Sequence, residues 1–153
     1  SLQAFWNKLP QESQLNPRIA EAAAKAFMQA GQGDQALKIL EMSLTKAWDP
    51  VLAEMLGDCE SSNPIRQLQQ AEYWVTVQEG DAGLLLALGR MCIRQQLWGK
   101  AQSYLEASIS VKPTAKAHFE LARMLERRGE MAAANQHYRH SAQLSQTGST
   151  VVV

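Results

Sequence analysis

Leu85-x2-Leu88-Gly89-x2-Cys92-x8-Ala101-x3-Leu105-x2-Ser108-x4-Pro113 repeats along the chain. Its Leu88-Gly89, Cys92, Ala101, Leu105 and Ser108 are answered 33 residues later by Leu121-Ala122, Leu125, Ala134, Tyr138 and Ser141. The same set stands 65 residues upstream as Ala23-Ala24, Phe27, Ala36, Leu40 and Ser43, about two further periods. A constant interval of this size signals a stack of like supersecondary units, each burying its apolar face on its neighbours. Stacks of this kind hold other macromolecules along a concave face.

Start and stop signals alternate between the repeated positions. Asn16-Pro17, Asp49-Pro50 and Asn63-Pro64 each pair a side-chain acceptor with a residue that lacks an amide hydrogen, the chemistry of a helix start. Asp34, Asp81 and Thr114 read as further N-caps, while Gly31, Gly80 and Gly129 stand where a helix ends on a positive φ. Between them apolar residues recur at helical spacing, as in Leu84, Leu85, Leu88, Met91 and Cys92. The expected helices cover 2–9, 16–30, 34–46, 50–58, 63–79, 81–95, 98–110, 114–128 and 131–144. Residues 146–153 lack a helical period and read as a flexible tail.

The quoted spacing resembles the tetratricopeptide repeat (TPR), whose unit is about 34 residues. Small residues at Gly89 and Ala101 let two helices approach, and Leu85, Leu88 and Leu105 fill the space between them. The fold expected is all-α: a right-handed TPR-like superhelix of three to four hairpins over 1–145. It divides into a capping helix (1–15), a repeat (16–47), a degenerate repeat (48–80) and two further repeats (81–113 and 114–145). Ser61-Ser62-Asn63-Pro64 cuts the first helix of the degenerate unit short, although Leu56-Gly57 keeps the helix-pair signal in register. Trp6, in the lead helix, is expected to be partly exposed.

The order of these parts is more specific than the repeat itself. A Trp6-x-x-Leu9-Pro10 lead, one good repeat, a truncated one near Asn63-Pro64, then Leu88-Gly89 and the Leu97-Trp98 turn resemble the carboxy-terminal region of bacterial HemY-type protohaem IX biogenesis proteins. That resemblance implies a scaffold joined to the inner membrane by a segment ahead of Ser1, with this region cytoplasmic and acting late in haem synthesis. It implies enzymes of haem synthesis as partners. A porphyrin or haem carrier and a generic TPR adaptor for envelope assembly are the rival readings.

Composition narrows the classes. The 15 Lys and Arg balance the 15 Asp and Glu, so the basic signature of a nucleic-acid binder is absent. Hydrophobic residues at 46% are enough to bury a core, and no apolar run is long enough to cross a membrane. No signal peptide is expected from the residues at the amino end, and the chain reads as a piece of a longer protein. Cys59 and Cys92 lack any CxxC partner and read as buried apolar residues.

No catalytic constellation follows from spacing, so no enzyme activity, metal or cofactor is expected. His137 and His140 lie three apart on one helix, a spacing some metal sites use, but no motif fixes His118 or Glu130 near them and a solvated face is the reading. Haem attachment has no CxxCH behind it. Trp48, Trp74 and Trp98, near helix ends, are expected to pack between hairpins with their N–H groups on carbonyls.

In TPR architecture the first helix of each hairpin lines the concave side. Positions 2, 5, 9, 12 and 13 are Gly83, Leu86, Arg90, Ile93 and Arg94 in one unit and Lys116, Phe119, Arg123, Glu126 and Arg127 in the next. The first unit offers Arg18, Glu21, Lys25, Met28 and Gln29, a more mixed set. Arg90, Arg94, Lys116, Arg123 and Arg127, with Phe119 as an apolar contact, make a candidate basic groove for a protein or acidic peptide segment. The alternative is that these charges are solvated and paired with Glu120 or Glu126 along the helix.

Overall fold

The structure, a computed structural model, describes residues 1–147 with their side chains and the backbone on to Val152. Among the described residues it holds ten α-helices, one 3₁₀ turn and no strand. The helices are α1 (Leu2–Lys8), α2 (Gln11–Leu15), α3 (Pro17–Gln29), α4 (Gly33–Lys46) and α5 (Pro50–Met55), with the 3₁₀ turn at Leu56–Asp58. They continue with α6 (Pro64–Val77), α7 (Ala82–Arg94), α8 (Trp98–Val111), α9 (Ala115–Arg127) and α10 (Met131–Val152). The pairs α3/α4, α7/α8 and α9/α10 are closely packed hairpins, and the molecule has the TPR-like helical repeat fold. The tail expected over 146–153 lies largely outside the fully described residues; helical backbone runs past the expected end at 144.

Side-chain caps start the helices where the sequence places them. Asn16 accepts from the amides of Arg18 and Ile19, Asp49 from Val51 and Leu52, Asn63 from Arg66, Asp81 from Leu84 and Thr114 from Ala117. Asp34 is the exception. The cap of α4 is Gln32, and the Asp34 carboxylate accepts from the Ser62 amide at 2.9 Å, tying α4 to the loop of the degenerate unit. Hydrogen bonding from the Ser62 side chain, and then from its amide, holds the Asp34 carboxyl below its ordinary range.

The hairpin turns share one closure. Gln32 donates to the Phe27 carbonyl, Leu97 to Cys92 and Glu130 to Leu125, each reaching back five residues. The preceding residue donates three back and takes a positive φ, +74° at Gly31 and +80° at Gly129. Between them the same place is filled by Gln96 at φ +59°. A side chain there meets its own backbone, at a cost of about 1–2 kcal/mol. Gln96→Gly should therefore raise stability by about 0.5–1 kcal/mol, once the larger unfolded-state entropy of glycine is subtracted. The urea midpoint is the measurement, and an unchanged or lower midpoint contradicts the strain.

Small residues set the helix spacing. A Cβ on Gly89 would meet Leu105 Cδ2 at 2.6 Å and Cγ at 2.7 Å, and Leu105 is fully buried. Each full unit also carries a buried serine on its second helix: Ser43 donates to the Leu15 carbonyl at 2.9 Å, Ser108 to Ala82 and Ser141 to Ala115, both at 2.8 Å. These bonds fasten the start of each first helix, or the turn ahead of it, to the helix that returns. Trp6 is 8% exposed, contrary to the open-end expectation, because α1 and α2 fold its ring onto the core. Phe5 beside it points outward instead.

The second unit departs furthest. Its first helix stops at Met55, the 3₁₀ turn follows, and α6 leans on α7 rather than pairing closely with α5. The truncated end leaves carbonyls at Leu56, Gly57 and Cys59 without helical partners. Gln67 in α6, itself buried, donates to Leu56 at 3.1 Å and to Cys59 at 2.9 Å. Arg94 in α7 donates to Gly57 at 2.6 Å and to Cys59 at 3.4 Å. Among the described residues no buried side-chain nitrogen or oxygen lacks a partner.

Candidate functional site

The helices α3, α5, α7 and α9 pack in series, and a hollow of about 610 Å³ runs over them. Glu21 and Lys25 come from α3, Glu54 from α5, Leu86 from α7 and Lys116 from α9. Gly83 lies beneath Glu54, where an added Cβ would meet the Glu54 Cβ at 3.2 Å. Its missing side chain lets the Glu54 carboxylate reach Lys116, 3.1 Å away and 62 residues on.

The six groove residues divide by what holds them. Arg90 pairs with Asp58 at 2.5 Å and lies 3.8 Å from Glu120. Arg94 is committed to the Gly57 and Cys59 carbonyls, and its burial, with the neighbouring charge of Arg90, lowers its pKa. Lys116 is paired with Glu54. Phe119 is 44% exposed, with Tyr138 against its edge at 5.7 Å and the Arg123 guanidinium 5.8 Å from its centroid. No ion pair or hydrogen bond engages Arg123 or Arg127 among the described residues, and both are exposed.

The wall is therefore not uniformly positive. Its carboxylates come mainly from the degenerate unit, through Glu54 and Asp58. The sequence signal for them was present: Leu56-Gly57 aligned on Leu88-Gly89 puts Glu54 and Asp58 at the groove positions of Leu86 and Arg90. Glu126, a candidate partner for Arg123, instead accepts from the Tyr138 hydroxyl at 2.5 Å. Cationic character collects at one end, where Arg94, Arg123 and Arg127 join Ile93, Trp98 and Glu120 around a hollow of about 310 Å³.

Three histidines meet on the last hairpin. His118, only 4% exposed, sets its Nδ1 2.9 Å from the Nδ1 of His137, and the His140 ring centroid lies 5.0 Å from that of His118. Of the two histidines expected on a solvated face, His140 is exposed and His137 half-buried, while His118 is buried at the position Leu85 fills a unit earlier. Burial, then its histidine neighbours, lowers the pKa of His118; His137 is lowered by burial and by His140. Among the described residues no three His, Cys, Asp or Glu groups are arranged to hold a metal ion.

Cys59 and Cys92 are buried and unbridged. Burial and the adjacent Asp58 raise the Cys59 thiol to about 12, and burial raises Cys92 to about 11, so neither is a thiolate at neutral pH. Trp48 donates its indole N–H to the Asp81 carboxylate at 2.7 Å rather than to a carbonyl, and meets Trp74 edge-on at 5.7 Å. Asp81 thereby links the second and third units as well as capping α7.

No family model and no curated protein matches the chain. Among solved structures, a crystal structure of MamA is similar with TM-score 0.63 and 17% identity, over 97% of this chain and 89% of that one. MamA 41-end from Desulfovibrio magneticus RS-1 is similar with TM-score 0.62 and 15% identity, over 95% of this chain and 84% of that one. At such identities the likeness is one of fold. No helix among the described residues is long and apolar enough to cross a membrane.

Proposed function

We propose that this chain is a protein-interaction scaffold whose concave side takes an extended acidic segment of a partner, anchored on Arg123 and Arg127. The observation that carries this reading is the division among the cations. Arg90, Arg94 and Lys116 are engaged within the fold, while Arg123 and Arg127 stand exposed beside Phe119 with no ion pair or hydrogen bond among the described residues. An arginine fork matches a carboxylate in two parallel hydrogen bonds, and the Phe119 face accepts an apolar side chain next to it. Arg90 and Lys116 play a secondary part, since a ligand must first compete with Asp58 and Glu54 for them.

The finer reading makes this the extramembrane, cytoplasmic region of an inner-membrane factor in a late step of protohaem IX synthesis, with haem-synthesis enzymes as partners. Its support is the order of the Trp6 to Pro10 lead, the truncated unit and the Leu97-Trp98 turn. A peptide carrying four consecutive glutamates and a free carboxy terminus serves as probe. The double reversal Arg123→Glu, Arg127→Glu should weaken it at least about tenfold, and added salt should weaken the wild-type complex. Equal affinity for the two proteins refutes the anchoring role.

A further inference from the structure

We propose that His118 and His137, with the His140 ring packed beside them, form a proton-operated latch between α9 and α10, closed while the His118 and His137 imidazoles are neutral and loosened by mild acid. The geometry requires that a single Nδ1 proton lie between the two rings. With two Nδ1 atoms 2.9 Å apart, one ring donates and the other accepts. A proton on both sets donor against donor and charge against charge, with the His140 ring 5.0 Å from His118 and 6.3 Å from His137.

Little nearby offsets such charge. From α8 the carboxylate of Glu106 favours protonation of His137, but it is exposed and screened. From α7, on the other flank of α9, Arg90 is drawn to Asp58 and Glu120, and Arg94 to the Gly57 carbonyl. On α10, His137 and His140 both set their rings against His118 of α9.

The preceding hairpin supplies a built-in control. There the places of His118 and His137 are taken by Leu85 and Tyr104, and the Tyr104 hydroxyl donates to Glu72 at 2.5 Å. The same joint is thus made without titrating imidazoles, so the histidines are not required by the packing. Opening the latch also reaches the concave side, because Tyr138, next to His137, supports Phe119 and holds Glu126.

The sign follows from proton uptake. Both folded imidazoles lie below the ordinary value of about 6.5. Below that pH the unfolded chain binds more protons than the folded one, so stability falls as pH drops from about 6.5 towards the folded values. Thermal unfolding at pH 7.5 and 5.5 tests this on the wild type, His118→Leu, which installs the residue of the preceding repeat, and His137→Gln, which keeps hydrogen bonding without the charge. The wild-type melting temperature should fall by about 3–6 °C more than that of either variant, and NMR should find His118 and His137 titrating below the ordinary range. Parallel falls in all three proteins, or ordinary titration of both rings, overturn the latch.

Discussion

Gly57→Val should cost about 3 kcal/mol of stability. The reason is contact between backbones rather than between flexible side chains. A Cβ at Gly57 would stand 2.8 Å from the Ala87 Cα and 3.2 Å from its Cβ, and both residues are buried. Neither α7 nor the 3₁₀ turn can rotate a side chain aside, so relief requires a shift of α7, which already packs on α5, α6, α8 and α9. The melting temperature should fall by about 6 °C or more. Gly31→Ala meets no neighbouring atom within 4 Å and acts only through its positive φ, so it should lose less. Comparable losses at Gly57 and Gly31 would remove close helix approach as the cause.

The second large effect belongs to Gln67. Gln67→Leu keeps the side chain's bulk but strands the Leu56 carbonyl, and it leaves Cys59 with only the longer bond from Arg94. A buried acceptor without a donor costs about 1–3 kcal/mol, and we expect about 2 kcal/mol from urea denaturation. Because Gln67 and Arg94 share the Cys59 carbonyl, adding Arg94→Ala should give a combined loss that differs from the sum of the two by about 0.5 kcal/mol or more. Strict additivity would mean that the two side chains stabilise the turn independently.

The repeat was legible because its signals are local and tolerate little substitution. Asn16, Asp49, Asn63, Asp81 and Thr114 each cap within their own first turn, and Gly89 faces Leu105 across a single hairpin. Periodicity assigns a residue to a face. It does not identify the residue that meets it from another helix. Lys116–Glu54 and Arg90–Asp58 span sequence separations for which spacing offers no rule, and they change the groove from a positive wall to a paired one with a cationic end. Gln96 was missed because a positive φ is normally read from glycine, although its 33-residue offset from Gly129 was available. Asp34 had the right chemistry for a cap, but the neighbouring loop brought the Ser62 amide to it instead.

Arg94 completes a turn that lies 37 residues before it. A fragment that keeps the turn but ends ahead of that arginine hands the Gly57 carbonyl to water and leaves Cys59 to Gln67 alone, so the amino-terminal half is not a portable piece. Dissection of the chain should respect this debt to the following helix, with cuts near Pro113 interrupting no such bond from Arg94.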